Sequence, residues 1–345
     1  MAITVIGSTD NKAVKLWSKS LFRDTLAKMW YRKFIGEGTS SIIQILPETK
    51  KSKGDKVTYA LRMQLAGAGR TGQQVLEGNE EDLSFYDAAL YIDLMRHAVR
   101  LDTEMTQQRV EYDLRKEARD ALSDWWAQRF DSYMFRYLAG DTSLSFAGNT
   151  AVSGDSSHVV FGSTATAETS LTTAMVFTLS LVDKAVKKAK TVTPLMRPIN
   201  IEGESYYAVI LHPACVYDLR TSTSTGQWLD IQKAVAQGGK LKDNPIFTGA
   251  LGVYNGCILY ESNNVHNSTY GASSAVVYRN LFLGAQAGVI AFGQKDGVDA
   301  MRWNEELFDY GKSLGVSAST IWGMQKNIFN SQDYGVITIS TGATA

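Results

Sequence analysis

Residues 105–138, MTQQRVEYDLRKEARDALSDWWAQRFDSYMFRYL, hold no Gly and no Pro. Apolar side chains return at helical spacing, at Leu114, Ala118, Leu122, Trp125, Phe130, Tyr133 or Met134, and Tyr137. The other face interleaves acids and bases, with Arg109, Glu111, Arg115, Lys116, Glu117, Arg119, Asp120, Asp124 and Arg129, the i,i+4 pattern of a solvated helix face. The stretch predicts one helix over 105–139, about 50 Å long and about three times the usual globular length. Such a rod reads either as the core helix of a large domain or as a strut on which neighbouring elements or subunits hang.

Upstream, Asn11 to Phe34 carries a second apolar stripe through Val14, Trp17, Leu21, Phe22, Leu26, Met29, Trp30 and Phe34, and Gly36 and Gly38 break it. This helix needs a partner surface, either the chain's own core or a neighbour. Residues 55–66 alternate as a half-buried strand does, with Val57, Tyr59, Leu61, Met63 and Leu65 in one register; 85–95 alternate again through Tyr86, Ala88, Leu90, Ile92 and Leu94. Gly67, Gly69, Gly72, Gly78 and the acidic run Glu77 to Asp82 lie between them. The pair predicts a long hairpin whose tip is a binding loop or a flexible segment.

Downstream, 141–168 has loop composition, and a helix follows through Met175, Leu179, Val182 and Val186 with Lys184, Lys187, Lys188 and Lys190 near its end. From about 205 the rhythm is α/β. Strands are expected at 206–212, 253–261, 275–284 and 289–292, helices at 213–219 and 228–236, and a terminal strand at 334–340. The acidic run reads as a charged hook seeking a basic patch, for which Lys184, Lys187, Lys188 and Lys190 are candidates.

The bulk composition excludes several functions. Thirty-five basic residues against thirty-five acidic ones argue against a dedicated nucleic-acid binder or a membrane-surface protein. No run of eighteen apolar residues exists, and the N-terminus lacks a signal pattern. Cys215 and Cys257 read as reduced core residues, and His97, His158, His212 and His266 form no ligand pair. Gly67 to Gly72 matches GxGxxG without a following helix, Gly311-Lys312-Ser313 lacks the earlier glycine of a phosphate loop, and no GxSxG elbow is present. The sequence offers no catalytic, cofactor or metal constellation, so no enzyme is expected.

Several runs are similar to the major capsid proteins of tailed bacteriophages. They are Gly67 to Glu81 with Leu76-Glu77-Gly78-Asn79-Glu80-Glu81, Arg96-His97-Ala98-Val99, Gln108-Arg109 with Leu114-Arg115, Asn244 to Gly252, Leu283 to Ala287, and Asp309-Tyr310-Gly311-Lys312. The order of parts resembles the Hong Kong 97-like coat fold, and more narrowly the coat proteins of the N-four-like podoviruses; the likeness spans roughly 10–340, with 141–168 outside it. The resemblance implies an α+β chain with an N-terminal arm at 1–50, an extension loop hairpin at 51–100, a peripheral domain at 101–204 with its spine helix at 105–139, an axial domain at 205–300, and a return to the peripheral domain at 301–345. It implies a structural protein of the virion, assembled in the host cytoplasm into hexamers and pentamers of an icosahedral shell around double-stranded DNA held by weak contact. Scaffold, portal and decoration or cement proteins are the implied partners, with no membrane and no cofactor. Inter-subunit contacts are expected at Trp17, Leu21, Trp30, Arg70, Glu77, Glu80, Glu81, Lys184, Lys187 and Lys188. The alternatives are an encapsulin-like non-viral shell on the same fold, and an α/β enzyme using His212 with Glu261 or Glu202.

Overall fold

The expected rod is two helices. A short one spans Glu104–Gln108 and the long one Leu114–Ala139, 26 residues or about 39 Å. Asp113 sets the boundary: in extended conformation, its carboxylate accepts the Arg115 N–H at 2.9 Å and caps the long helix. At the other end Gly140 adopts φ 69°, the left-handed conformation that lets its N–H and that of Asp141 close on the last carbonyls. The structure, a computed structural model, describes residues 11–46, 55–62, 65, 67, 69–83, 85–102, 104–111, 113–193, 195–201, 203–222, 250–293, 301–310 and 312–344.

The long helix buries Ala118, Leu122, Trp126, Phe130, Met134, Phe135, Tyr137 and Leu138. Trp125, expected on the buried stripe, is only half-buried and stacks on the His97 ring at 4.1 Å, while Trp126 takes the core position. The core face lies against a six-stranded sheet built on the 14-residue strand Ser313–Lys326. That strand pairs antiparallel with Asp93–Leu101, with Arg302–Phe308 and with Gly288–Phe292, and Ile43–Leu46 and Ile35–Gly36 extend the sheet. Trp322 on the long strand is fully buried among Phe130, Phe146 and Tyr133, with ring centroids 4.7, 4.8 and 5.6 Å away.

A second, eight-stranded sheet runs Ala250–Tyr254, Cys257–Glu261, Glu204–Leu211, Val277–Leu283, Val336–Thr341 and Val159–Phe161, with short strands added at Ile199–Ile201 and Asn267–Ser268. Its strands are near-continuous apolar runs because helices Leu179–Thr191 and Pro213–Thr221 contribute to the apolar cluster on one face and the shared core lies on the other. Sheet membership departs from the division expected from sequence. Gly288–Phe292 belongs to the first sheet, and the terminal strand to the second, where all six of its residues are buried between two neighbours. The 141–168 segment is likewise more than loop: it holds the hairpin Ser145–Phe146 with Asn149–Thr150 and the edge strand Val159–Phe161, and Glu168 at its end binds Arg279 through both carboxylate oxygens at 2.8 and 2.7 Å. The expected helix at 228–236 lies outside the described residues.

The arm helix Asn11–Lys28 packs on the long helix and is followed by the tight turn Trp30–Phe34. Asp131 of the long helix, 4% exposed, accepts the Trp30 and Tyr31 backbone N–H groups at 2.8 and 3.3 Å and thereby pins that turn. Burial pushes its carboxyl up to about 6 from 3.8, the two hydrogen bonds opposing only part of the rise. The folded state then holds this proton more tightly than the unfolded chain, so the associated stability is complete below pH 3.8 and is lost as pH rises through about 6. Chemical denaturation of the unassembled subunit should show this loss, on the order of 3 kcal/mol, and Asp131→Asn should flatten it. Asp155 acts oppositely: despite its burial, hydrogen bonds from Ser157 and the Asp333 backbone hold it at about 2, so its contribution disappears as pH falls from 3.8 toward 2.

Candidate assembly surfaces

The hairpin forms as its alternation predicts. Lys56–Arg62 pairs antiparallel with Phe85–Tyr91, and Val57 faces Leu90 in the register. The expected single strand 85–95 is divided at Ile92: its first half pairs within the hairpin, while Asp93–Leu101 joins the long strand of the first sheet. Gly323 permits that crossing, because a Cβ there would collide with the Tyr91 carbonyl. Tyr59 ties the hairpin base to the body through its hydroxyl, which donates to Asn327 Oδ1 at 2.7 Å.

Beyond the hairpin, every described residue of 65–83 is exposed. Gly69, Gly72 and Gly78 take φ between 61° and 79°, turns that a side chain would strain. The loop is shaped by its own bonds: Gly67 N–H donates to Glu81 Oε2 at 2.7 Å, Asn79 N–H to the Leu76 carbonyl at 2.9 Å, and the Arg70 guanidinium to Asn79 Oδ1. Yet it presents Val75 at 67% and Leu76 at 60% exposure, flanked by Leu65, Leu83 and Phe85. Large apolar groups this exposed make the loop a candidate surface for a partner to cover. Arg70, Glu77, Glu80 and Glu81 lie on this projection, all exposed.

A second such surface was not anticipated from sequence. At the turn joining Arg302–Phe308 to Ser313–Lys326, Leu307 is 65% exposed and Tyr310 wholly so, with Asp309 and Tyr310 both at positive φ. Arg100 steadies its base, stacking its guanidinium 4.6 Å from the Phe308 ring and donating to Ser313 Oγ at 2.9 Å. The available signal was Leu307-Phe308 directly ahead of the turn-forming Asp309-Tyr310-Gly311.

The other expected contact residues divide. Lys184 and Lys187 are exposed on helix Leu179–Thr191, but Lys188 is committed within its own chain, its ammonium donating to the Ser156 and Val159 carbonyls at 3.1 and 2.7 Å. Leu21 is fully buried in the chain's own core. Trp30 packs intramolecularly with Tyr31, Phe34, Phe135 and Tyr260, under the Lys33 ammonium at 4.3 Å. The arm therefore covers its own subunit at these positions; the Trp17 side chain lies outside the described residues.

Three of the histidines make structural contacts. His212 caps helix Pro213–Thr221 by accepting the Ala214 N–H at 3.1 Å, and burial lowers its pKa against the pull of Glu261. His266 lies 3.8 Å from Asp141, and His158 Nδ1 lies 2.9 Å from Asp155. Among the described residues no group of three acids, cysteines or histidines could hold a metal, and no helix is long and apolar enough to cross a membrane. A cavity of about 190 Å³ between the arm turn and the second sheet is lined by Lys33, Tyr260 and mostly apolar side chains, without a carboxylate.

Comparison with known proteins gives a consistent result. The family described as phage capsid protein matches residues 5–345. The major capsid protein of Pseudomonas phage KPP25 is 28% identical over 374 aligned residues, covering 96% of each chain. Among solved structures, the capsid of Ralstonia phage GP4 superposes with a TM-score of 0.83 at 34% identity, covering 100% of this chain and 99% of that one. The Cyanophage Pam1 capsid shares the fold with a TM-score of 0.73 at 22% identity, over 92% of this chain and 93% of its own.

Proposed function

The chain belongs to the phage capsid protein family and has its α+β, Hong Kong 97-like fold, and on that premise we propose how the surfaces above build a shell. The protein is structural, the major capsid protein of an icosahedral tailed-phage head. Its copies assemble through hexamers and pentamers, and the 65–83 projection reaches over an adjacent copy. The long helix with the first sheet forms the peripheral part, and the second sheet the axial part. The observation that carries this reading is the exposed loop with Val75 and Leu76 more than half exposed: burying such side chains on a neighbour is favourable by about 1.5–3 kcal/mol each. An element that reaches a different patch on the next copy makes the heterologous contact that closes rings.

No step of this function is chemical, so the subunit acts without catalysis. Equal numbers of basic and acidic residues suit an inner surface that touches packaged double-stranded DNA only weakly. Scaffold, portal and decoration or cement proteins complete the head, which is assembled in the host cytoplasm. Negative-stain electron microscopy with light scattering on the purified chain, alone and with its neighbouring phage proteins, tests the reading. Uniform icosahedral particles or capsomer rings are expected, and a monodisperse monomer under both conditions would overturn it.

A further inference from the structure

The chain crosses from the first sheet to the second between Lys326, the last residue of the long strand, and Val336, the first of the terminal strand. A small hairpin, Ile328–Phe329 with Gln332–Asp333, fills the interval. Here Lys326 Nζ lies 2.6 Å from Asp333 Oδ1, and the two side chains are 1% and 2% exposed. The contact is not an ordinary satisfied ion pair. Among the described residues, Lys326 Nζ has no acceptor aligned for a good hydrogen bond, its close contact being with Asp333 Oδ1, and Asp333 Oδ2 has no donor.

Buried ion pairs persist when further hydrogen bonds offset the loss of water around each charge. Asp333 is instead held by its main chain. Its N–H donates to Asp155 Oδ2 at 2.9 Å, and Asp155 also binds His158 Nδ1 at 2.9 Å and the Ser157 N–H at 2.8 Å. An amine and a carboxyl held in contact and closed off from bulk solvent have the proximity on which intramolecular condensation depends, for which effective concentrations reach about 10⁵–10⁸ M once the reacting atoms align.

We propose that Lys326 and Asp333 condense to an intramolecular isopeptide bond between Nζ and Cγ. A proton first passes from the ammonium to the carboxylate, leaving a neutral amine and a carboxylic acid. The Nζ lone pair then attacks Cγ; the N–C bond forms and the C–OH bond breaks. The hydroxyl leaves with a second Nζ proton as water, so ammonium plus carboxylate becomes amide plus water with no other reactant. Burial pushes the Asp333 carboxyl up, toward the protonated form that the attack requires. The product replaces two buried charges by one neutral amide and staples the end of the first sheet to the small hairpin that precedes the terminal strand. This modification is independent of how the subunits meet.

The test is the denatured intact mass of the purified full-length chain, followed by a tryptic map. The chain should be one water lighter than its sequence. Trypsin should cut after the exposed Lys312 but not after Lys326, leaving 313–345 as one product, one water light. Lys326→Arg keeps the charge, cannot form the amide, and should restore both the full mass and cleavage at 326. A wild-type chain of full sequence mass that trypsin cleaves after Lys326 overturns the proposal. So does a water loss that maps to Asp296-Gly297, where an aspartyl-glycine pair can cyclise on its own backbone.

Discussion

Deleting residues 68–80 is expected to give a soluble, folded subunit that no longer closes into shells. The excision removes Val75 and Leu76, both more than half exposed, together with Arg70, Glu77 and Glu80, and among the described residues it touches none of the core. The subunit's own stability should change by less than about 0.5 kcal/mol, as for surface changes distant from buried features. Each inter-subunit contact, by contrast, should lose about 3–6 kcal/mol of apolar burial, or two to four powers of ten in its equilibrium constant. Every copy in a ring carries that loss, so assembly fails as a whole. Light scattering and electron microscopy report the shells, and chemical denaturation with circular dichroism reports the fold. Shells of normal size from the deletion would sink the assignment of this loop.

Trp322→Ala is expected to have the opposite character, damaging the subunit before assembly begins. Trp322 is fully buried where the long strand meets the long helix, within 4.7–5.6 Å of Phe130, Phe146 and Tyr133. Its truncation opens a cavity among rings fixed by strand and helix backbones that cannot close in, and should cost about 3–5 kcal/mol. That is a large share of the roughly 5–15 kcal/mol by which domains are stable. The denaturation midpoint of the unassembled subunit should fall accordingly; a shift below about 1 kcal/mol would mean that this cluster is not the junction described here. Trp322→Phe should recover much of the loss, since a ring still fills most of the space.

Local pattern made part of this fold legible. Alternation located Lys56–Arg62, continuous apolar runs located Glu204–Leu211 and Val277–Leu283, and Pro213 marked its helix. Long-range pairing left no such mark. Nothing near Val336–Thr341 states that its neighbours are Val277–Leu283 and Val159–Phe161, so its sheet could not be read in advance. The long helix was overextended because Arg109 and Glu111 continue its charge pattern, while Asp113 ends it through a single backbone bond. Among the expected contact residues, the exposure of the loop was legible from its glycines and its acidic run. Lys188 binds backbone carbonyls of its own chain, which have no signature in a sequence, and Leu21 and Trp30 pack in their own chain's core, which an apolar stripe does not state.

The pairing of Ser313–Lys326 decides how the subunit answers a pull. Neighbours lie along both edges of this strand, and their ladder bonds run perpendicular to its axis. Tension directed along the strand therefore strains many bonds at once, in shear, and none can open before the others yield. A pull across the sheet would peel the same bonds one after another. The subunit is thus stiff in one direction and compliant in another, and a shell that orients this strand along its surface resists swelling while its members can still tilt against one another.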